Sequence, residues 1–237
     1  MKQNQDPMGQ AIADYFKHGE AATLRVQSPM FDEDELPVAT LFRSFEEMPQ
    51  IEQKALQMST GHTLDVGAGC GCHSLALQQM GIDVTAIDIS PLSVQTMQER
   101  GVKRALLQDF FTMEEQFDTV LMLMNGAGMV GTADRLPLLF QTMDRILKPD
   151  GQLLCDSSDL CYLFEDEEGI IELPDLDYYY GEVVYQLLYK DIKGEPFQWL
   201  YVDADTLSAA AEVCGYQMEV VQQGEHYDYL ARITKAR

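Results

Sequence analysis

Positive charge is scarce in this chain: 16 lysines and arginines stand against 39 aspartates and glutamates, a formal net charge of -23 over 237 residues. A surface of that sign repels nucleic acid and anionic lipid, so neither is expected as a partner and a small-molecule substrate is favoured. Screening confines the effect to roughly 8 Å at physiological salt, and the charge by itself says little about chemistry. Long apolar runs are also missing. The opening "MKQNQDPMGQAIADYF" has no stretch of signal-peptide length, and uncharged runs elsewhere are too short for a bilayer or carry glycines. A cytoplasmic protein without a membrane partner is the expectation. Cysteine is sparse and odd in number, five in all, which argues against a disulfide framework and for reduced thiols. Internal repeats and low-complexity segments are absent as well.

What is present is an apolar content of 46%, enough for one sizeable core. From Thr63 onward short apolar runs alternate with amphipathic segments: "TLDVGAG", "CHSLALQQMG", "DVTAIDIS", "PLSVQTMQERG", "RALLQDFF", "FDTVLMLMNGAG", residues 134–147 and "GQLLCDSS". Strand and helix taking turns predicts a doubly wound α/β sheet covered on both faces. Gly81 and Gly101 stand where helices should end, Pro91 where one should begin, and Pro149 with Gly151 closes another. Residues 1–60 lack this alternation. Helix-like segments at Ala11–His18 and Pro49–Met58 flank an acidic turn, "FDEDELP", and together they read as a helical flank or lid. Beyond Ser158 an acidic stretch leads into "GEVVYQLLYKD" and "FQWLYVD", two runs that "IKGEP" would fold into a hairpin. Asp203 then caps a helix ending near Gly215, and "YQMEVVQ" with "YDYLARIT" forms a last antiparallel pair.

The glycine turn is the richest motif. At the carboxyl edge of such a sheet, Gly67, Gly69 and Gly71 clear space for a ligand, and the following helix N-terminus adds free N–H donors. The spacing is G-x-G-x-G. A dinucleotide fingerprint would need glycine where Cys72 stands. Asp88, at the end of the second strand, lies where a carboxylate can accept both hydroxyls of a ribose. Cys70, Cys72 and His73 offer three soft ligands, but no second cluster supplies a fourth, so no metal is expected. "DSSD" at residues 156–159 is either a polar pocket floor or ordinary turn chemistry. Tyr178, Tyr179, Tyr180, Tyr185, Tyr189, Trp199 and Tyr201 either clamp a substrate, with cation–π contact to an ammonium among the options, or simply pack a half-buried sheet.

Taken together, residues 63–157 resemble the class I S-adenosylmethionine-dependent methyltransferases. The matching elements are "LDVGAGCG", Asp88, "QDFF", "FDTVLMLMNGAG" and "LKPDGQLL", in order, over about 40% of the chain. The resemblance implies a Rossmann-like seven-stranded sheet, mostly parallel with an antiparallel last strand, and an inserted hairpin that covers the substrate. It divides the chain into a flank at 1–60 and a methyltransferase domain at 61–237, with 160–203 as the insertion. It implies S-adenosyl-L-methionine as cofactor, with Asp65, Gly67, Ala68, Gly69 and Gly71 at its methionine and ribose portions and Asp88 on the ribose hydroxyls. Ile89, Asp109 and Phe110 would then flank the adenine, with Met124 and Asn125 beside the methionyl group. Base- and amide-modifying members carry an N/D-P-P-Y/F motif after the fourth strand; this chain has "NGAG", which disfavours those substrates. The expected activity is methyl transfer to a small-molecule acceptor. A non-catalytic cofactor binder and a transferase using an adenosylmethionine derivative are the alternatives. His18, Asp159 and a hairpin tyrosine are candidate bases that the sequence does not rank, and the oligomeric state stays open.

Overall fold

The computed structural model describes residues 5–173 and 175–236; residues 1–4 of the flank and position 174 of the acidic stretch lie outside them. In chain order the elements are α1 (Pro7–His18), β1 (Leu24–Gln27), β2 (Asp34–Leu36), α2 (Gln50–Met58), β3 (His62–Val66), α3 (Cys72–Gln79), β4 (Asp83–Asp88) and α4 (Pro91–Arg100). They continue with β5 (Ala105–Leu107), β6 (Phe117–Met122), α5 (Leu136–Ile146), β7 (Leu147–Ser158), β8 (Glu182–Tyr189), β9 (Ile192–Lys193), β10 (Phe197–Leu200), α6 (Ala204–Val213), β11 (Tyr216–Gln223) and β12 (Asp228–Lys235).

Seven strands form the main sheet in the order β11-β12-β7-β6-β3-β4-β5. Strands β3 to β7 pair in parallel, whereas β12 runs antiparallel to both β7 and β11. This is the Rossmann-like mixed sheet expected from the sequence, last strand included. Its interior strands are largely apolar because both faces are covered, with Thr63, Asp65, Thr85 and Thr119 among the buried polar exceptions. α5 and α6 bury Leu139, Phe140, Met143, Leu207 and Ala211 against one face, and α2 with α3 buries Ile51, Leu56, Ala76 and Leu77 on the other. Each such large apolar side chain contributes about 1.5–3 kcal/mol. The helix ends follow the expected punctuation: Ser90 caps α4 through Ser93 N, Pro91 opens it, and Gly101 closes it in the left-handed region at φ 96°.

The N-terminal flank is more than helical. Besides α1, α2 and two short 3-10 turns, it supplies β1 and β2, which join the hairpin in a second sheet of order β10-β8-β1-β2, with β9 on β8. β1 is only four residues long, and its partner lies far along the chain, with Leu24 opposite Tyr189. No local turn signal announces such a pairing. The two runs expected to form a hairpin pair antiparallel, with Phe197 opposite Tyr185 and Trp199 opposite Val183.

A buried ion network fixes the flank to the main domain. The Glu52 carboxylate of α2 takes both the Arg43 guanidinium and His73 Nε2, the latter at 2.8 Å, with all three side chains 7% exposed. Burial opposes both ionised forms, but hydrogen bonds from His73 and Arg43 hold Glu52 below the usual carboxylate range. His73 is held well above the ordinary imidazole range despite burial, through the neighbouring Cys72, Glu52 and Asp65. Stability from His73 is therefore full below its unfolded pKa and lost as pH rises through the folded one; stability from Glu52 is present above its unfolded pKa and lost as pH falls. Replacing Glu52 with Gln leaves two buried cations without their counter-ion. The variant is expected to lose about 3–5 kcal/mol in urea unfolding, whereas an exchange at the exposed pair Arg104–Glu115 should cost under about 1 kcal/mol.

Candidate active site

At the carboxyl edge of the main sheet the chain leaves β3 through three left-handed glycines, at φ 65°, 58° and 81° for Gly67, Gly69 and Gly71. The three have different reasons for being glycine. A Cβ at Gly71 would meet Val102 Cγ2 at 2.8 Å, a packing constraint against the segment after α4. At Gly67 and Gly69 the nearest atoms would be Met129 Cε at 3.7 Å and Ile12 Cδ1 at 3.9 Å, so those two leave an open cradle. Ala68 N donates to Ile87 O at 3.0 Å, tying the turn to β4. Behind it Arg100 donates to Cys70 O at 2.7 Å while lying over the Phe42 ring. Cys70, Cys72 and His73, all buried, serve this support rather than facing the open side.

Asp88 closes the next edge. Its Oδ2 accepts from Gly69 N at 2.9 Å and its Oδ1 from Ser90 N at 2.8 Å, which leaves one lone pair on each oxygen for a pair of hydroxyls. Burial raises its pKa to about 6 against those two N–H donors, with Asp6 adding to the rise. Asp6 belongs to the flank: it caps α1 through Gly9 N and accepts from Ser90 Oγ at 2.5 Å, so α1 begins beside Asp88. Ile89 and Leu107 are 53% and 57% exposed at this edge. Leu107, opposite Asp88 in the sheet register, carried no motif and went unread in the sequence.

The other expected positions differ in exposure. Asp65 is 2% exposed beneath the turn, where its carboxylate accepts from Ser74 Oγ at 2.6 Å. Phe110 is 3% exposed and packs into the core, while Asp109 is exposed and caps the following turn through Phe111 N. Met124 and Asn125 do sit at the edge, in consecutive left-handed conformations at φ 61° and 59°. His18 is exposed in the last turn of α1, and Tyr15 stacks on Phe42 with ring centroids 4.7 Å apart. Asp159 accepts the Tyr180 hydroxyl at 2.7 Å.

The left-handed pair is held by a residue that the sequence left ambiguous within "DSSD". Asp156, at the end of β7, accepts from Met124 N at 3.1 Å and Asn125 N at 2.7 Å. Two adjacent residues with side chains in this region cost of order 1–3 kcal/mol each, and the carboxylate supplies the compensation. Asn125 Nδ2 in turn donates to Leu200 O at 3.2 Å, while its buried Oδ1 has no partner among the described residues. The "GAG" that follows is a contact surface: a Cβ at Gly128 would lie 2.3 Å from the Trp199 indole nitrogen. Met129 near Gly67 and Trp199 beside Gly128 thus link the glycine turn to the second sheet. That sheet roofs the edge, and α1 packs beside it through Ile12, Leu24 and Tyr189. A groove of about 460 Å³ lined by Gln27, Glu33, Val184 and Gln186 lies along the sheet near the β1–β2 connection.

The arrangement matches known proteins along its whole length. A crystal structure of an S-adenosylmethionine-dependent methyltransferase from Bacteroides fragilis, in complex with S-adenosyl-L-homocysteine, is 53% identical over 100% of this chain and 98% of that one, at TM-score 0.94. The chain belongs to the class I S-adenosylmethionine-dependent methyltransferase family. Residues 64–155 match the family model described as a methyltransferase domain. Curated relatives of this methyltransferase fold match over shorter spans. The cypemycin N-terminal methyltransferase of Streptomyces is 32% identical over 40% of this chain, and the putative methyltransferase YqeM of Bacillus subtilis is 28% identical over 50%. The matches span 41% and 52% of those relatives' own lengths.

Burial pushes Asp156 up to about 7, with donors from the Asn125 and Gly126 backbone acting against it. Between the ordinary carboxylate value near 4 and about 7 the native chain therefore binds the extra proton, and this group's contribution to stability falls as pH rises. Asp156→Asn should lack that component of the slope in urea unfolding measured across pH 4–8. Asp156→Ala should expose the Met124 and Asn125 amides to fast hydrogen exchange while Leu153 and Leu154 in β7 stay protected.

Proposed function

We propose that this chain catalyses methyl transfer from S-adenosyl-L-methionine to a small-molecule acceptor enclosed between the main sheet and the second sheet. The observation that carries it is the open cradle at Gly67 and Gly69 beside the Asp88 carboxylate, with the unpartnered Asn125 Oδ1 across the edge. The residues suit a nucleoside sulfonium carrying an amino-acid tail. Asp88 has two free lone pairs for the ribose diol, Ile89 and Leu107 offer apolar surface to the adenine, and Asn125 Oδ1 needs an N–H donor such as the methionyl ammonium. Asp109 adds an acceptor near the adenine. Asp65 and Phe110 support the site from beneath, through α3 and the core. The S-adenosyl-L-homocysteine complex of the Bacteroides relative supports the same cofactor.

When bound, the cofactor supplies a methyl already activated on sulfur, so no nucleophile or metal of the protein is required. The protein's work is alignment and exclusion of water. The Gly67–Gly71 turn and the clamped Met124–Asn125 pair fix one partner. The second sheet and α1 cover the other, which makes residues 5–60 and 160–203 the substrate cover of a domain spanning 61–237. An acceptor that attacks through O–H or N–H must release a proton. Asp159, already hydrogen-bonded to Tyr180 at this edge, has a carboxylate suited to take it, while His18 is exposed at the end of α1.

Calorimetry should show S-adenosyl-L-homocysteine binding and no binding of NAD. Asp88→Ala should weaken it by about tenfold or more, the worth of hydrogen bonds to a charged acceptor. Affinity should also fall as pH drops below about 6, where Asp88 protonates and becomes in part a donor. Labelled cofactor incubated with a metabolite extract should yield a product heavier by one methyl. Binding without any such product would leave a cofactor-binding protein and overturn catalysis.

A further inference from the structure

The second sheet presents one face to the glycine turn and the Met124–Met129 segment. Register alone assigns its members: Asp34 lies opposite Val26, Val26 opposite Leu187, and Tyr185 opposite Phe197, with Trp199 two residues on. Alternation along each strand puts these side chains on the same side. Tyr201 joins them, its hydroxyl 3.1 Å from that of Tyr185 with the rings edge-on at 76°. Phe197 stands 6.3 Å from Tyr185 and 6.0 Å from Trp199 between ring centroids.

The neighbouring tyrosines are used differently. Tyr179 donates to Asp203 at 2.5 Å, Tyr180 to Asp159 at 2.7 Å and Tyr189 to Asp14 at 2.9 Å; these are latches that hold the cover in place. Tyr185 and Tyr201 hydrogen-bond to each other, which leaves their ring faces as the working surface. Basic residues of the sheet are turned away or neutralised. Arg25 and Lys193 pair with Leu188, on the opposite side from Tyr185, and Arg25 meets Glu33 at 3.4 Å. Lys190 meets Asp14 at 2.5 Å. The charged groups felt by the Tyr185–Tyr201 pair are acid or phenol, Asp34 and Tyr162, and burial first of all keeps both phenols neutral.

We propose that the acceptor carries an aliphatic ammonium group, received on the aromatic face of Tyr185, Phe197, Trp199 and Tyr201 with the Asp34 carboxylate on the same side. The proposal rests on the methyl-transfer reading and names the substrate class for it. Aromatic faces attract cations through their quadrupole, and a nearby carboxylate adds to the attraction. A phosphate or carboxylate in that place would find no cationic partner, since no lysine or arginine of the sheet shares the face.

The chain's only tryptophan is Trp199, so its fluorescence reports on this face alone. With the protein saturated by S-adenosyl-L-homocysteine, choline and its neutral isostere 3,3-dimethylbutan-1-ol are titrated side by side. Choline is expected to change the emission saturably with a dissociation constant about tenfold below that of the alcohol. Tyr185→Phe should keep that preference, because the ring face remains. Tyr185→Leu should abolish it, and Asp34→Asn, at an exposed strand position, should weaken choline several-fold. Equal curves for the two probes, or an unchanged choline curve in Tyr185→Leu, would overturn the proposal. Calorimetry of S-adenosyl-L-homocysteine on the unliganded protein separates the two ideas. S-adenosyl-L-homocysteine binding without choline preference removes the ammonium acceptor alone, whereas no S-adenosyl-L-homocysteine binding removes the methyl-transfer reading beneath it.

Discussion

One carboxylate in a place without water, Glu52, holds this molecule's two halves together. It grips Arg43 from the flank and His73 from the first turns of α3, the helix that begins where the glycine turn ends. Because both cations are buried with it, removing any one of the three groups leaves a buried charge without its partner. The position of α1 over Gly69, the approach of Asp6 to Ser90 and the stacking of Tyr15, Phe42 and Arg100 behind Cys70 all lie within reach of that anchor. The cover is therefore part of the domain's core energetics rather than a loose appendage.

Much of the main sheet was legible because its signals are local. Alternating apolar runs, the Ser90–Pro91 start and the Gly101 stop of α4, and the Asp203 cap of α6 are decided within a few residues of themselves. The G-x-G-x-G spacing and Asp88 were legible for the same reason. What escaped depends on distant partners. β1 reads as nothing until β8 lies beside it, Asp156 looks like turn chemistry until Met124 and Asn125 are seen bent over it, and Leu107 looks like one more strand leucine. Phe110 reads as a ring at the pocket because it follows Asp109, but a single 3-10 turn carries it into the core instead.

Function in this chain is divided between two kinds of surface. The proposed cofactor edge is made mostly of backbone: glycines without side chains, N–H groups bound by Asp88 and Asp156, and a left-handed pair held against its preference. The proposed acceptor side is made of side chains, large aromatic ones on a short sheet. A backbone site tolerates few changes, while a side-chain surface can be exchanged residue by residue. The same fold can in this way keep one cofactor and vary its acceptors.

The pairing of Leu24 with Tyr189 also has a consequence in time. Strands β3 to β6 meet through neighbouring segments and can assemble early, but β1 has no partner in its sheet besides the short β2 until β8 arrives from far along the chain. Closing so long a loop is entropically costly, and contacts of this range form late. During synthesis the parallel half of the main sheet can therefore exist as an open platform before the roof above it does. The enclosed chamber is thus assembled from the most distant parts of the chain, and its closure waits on the return of β8 to β1.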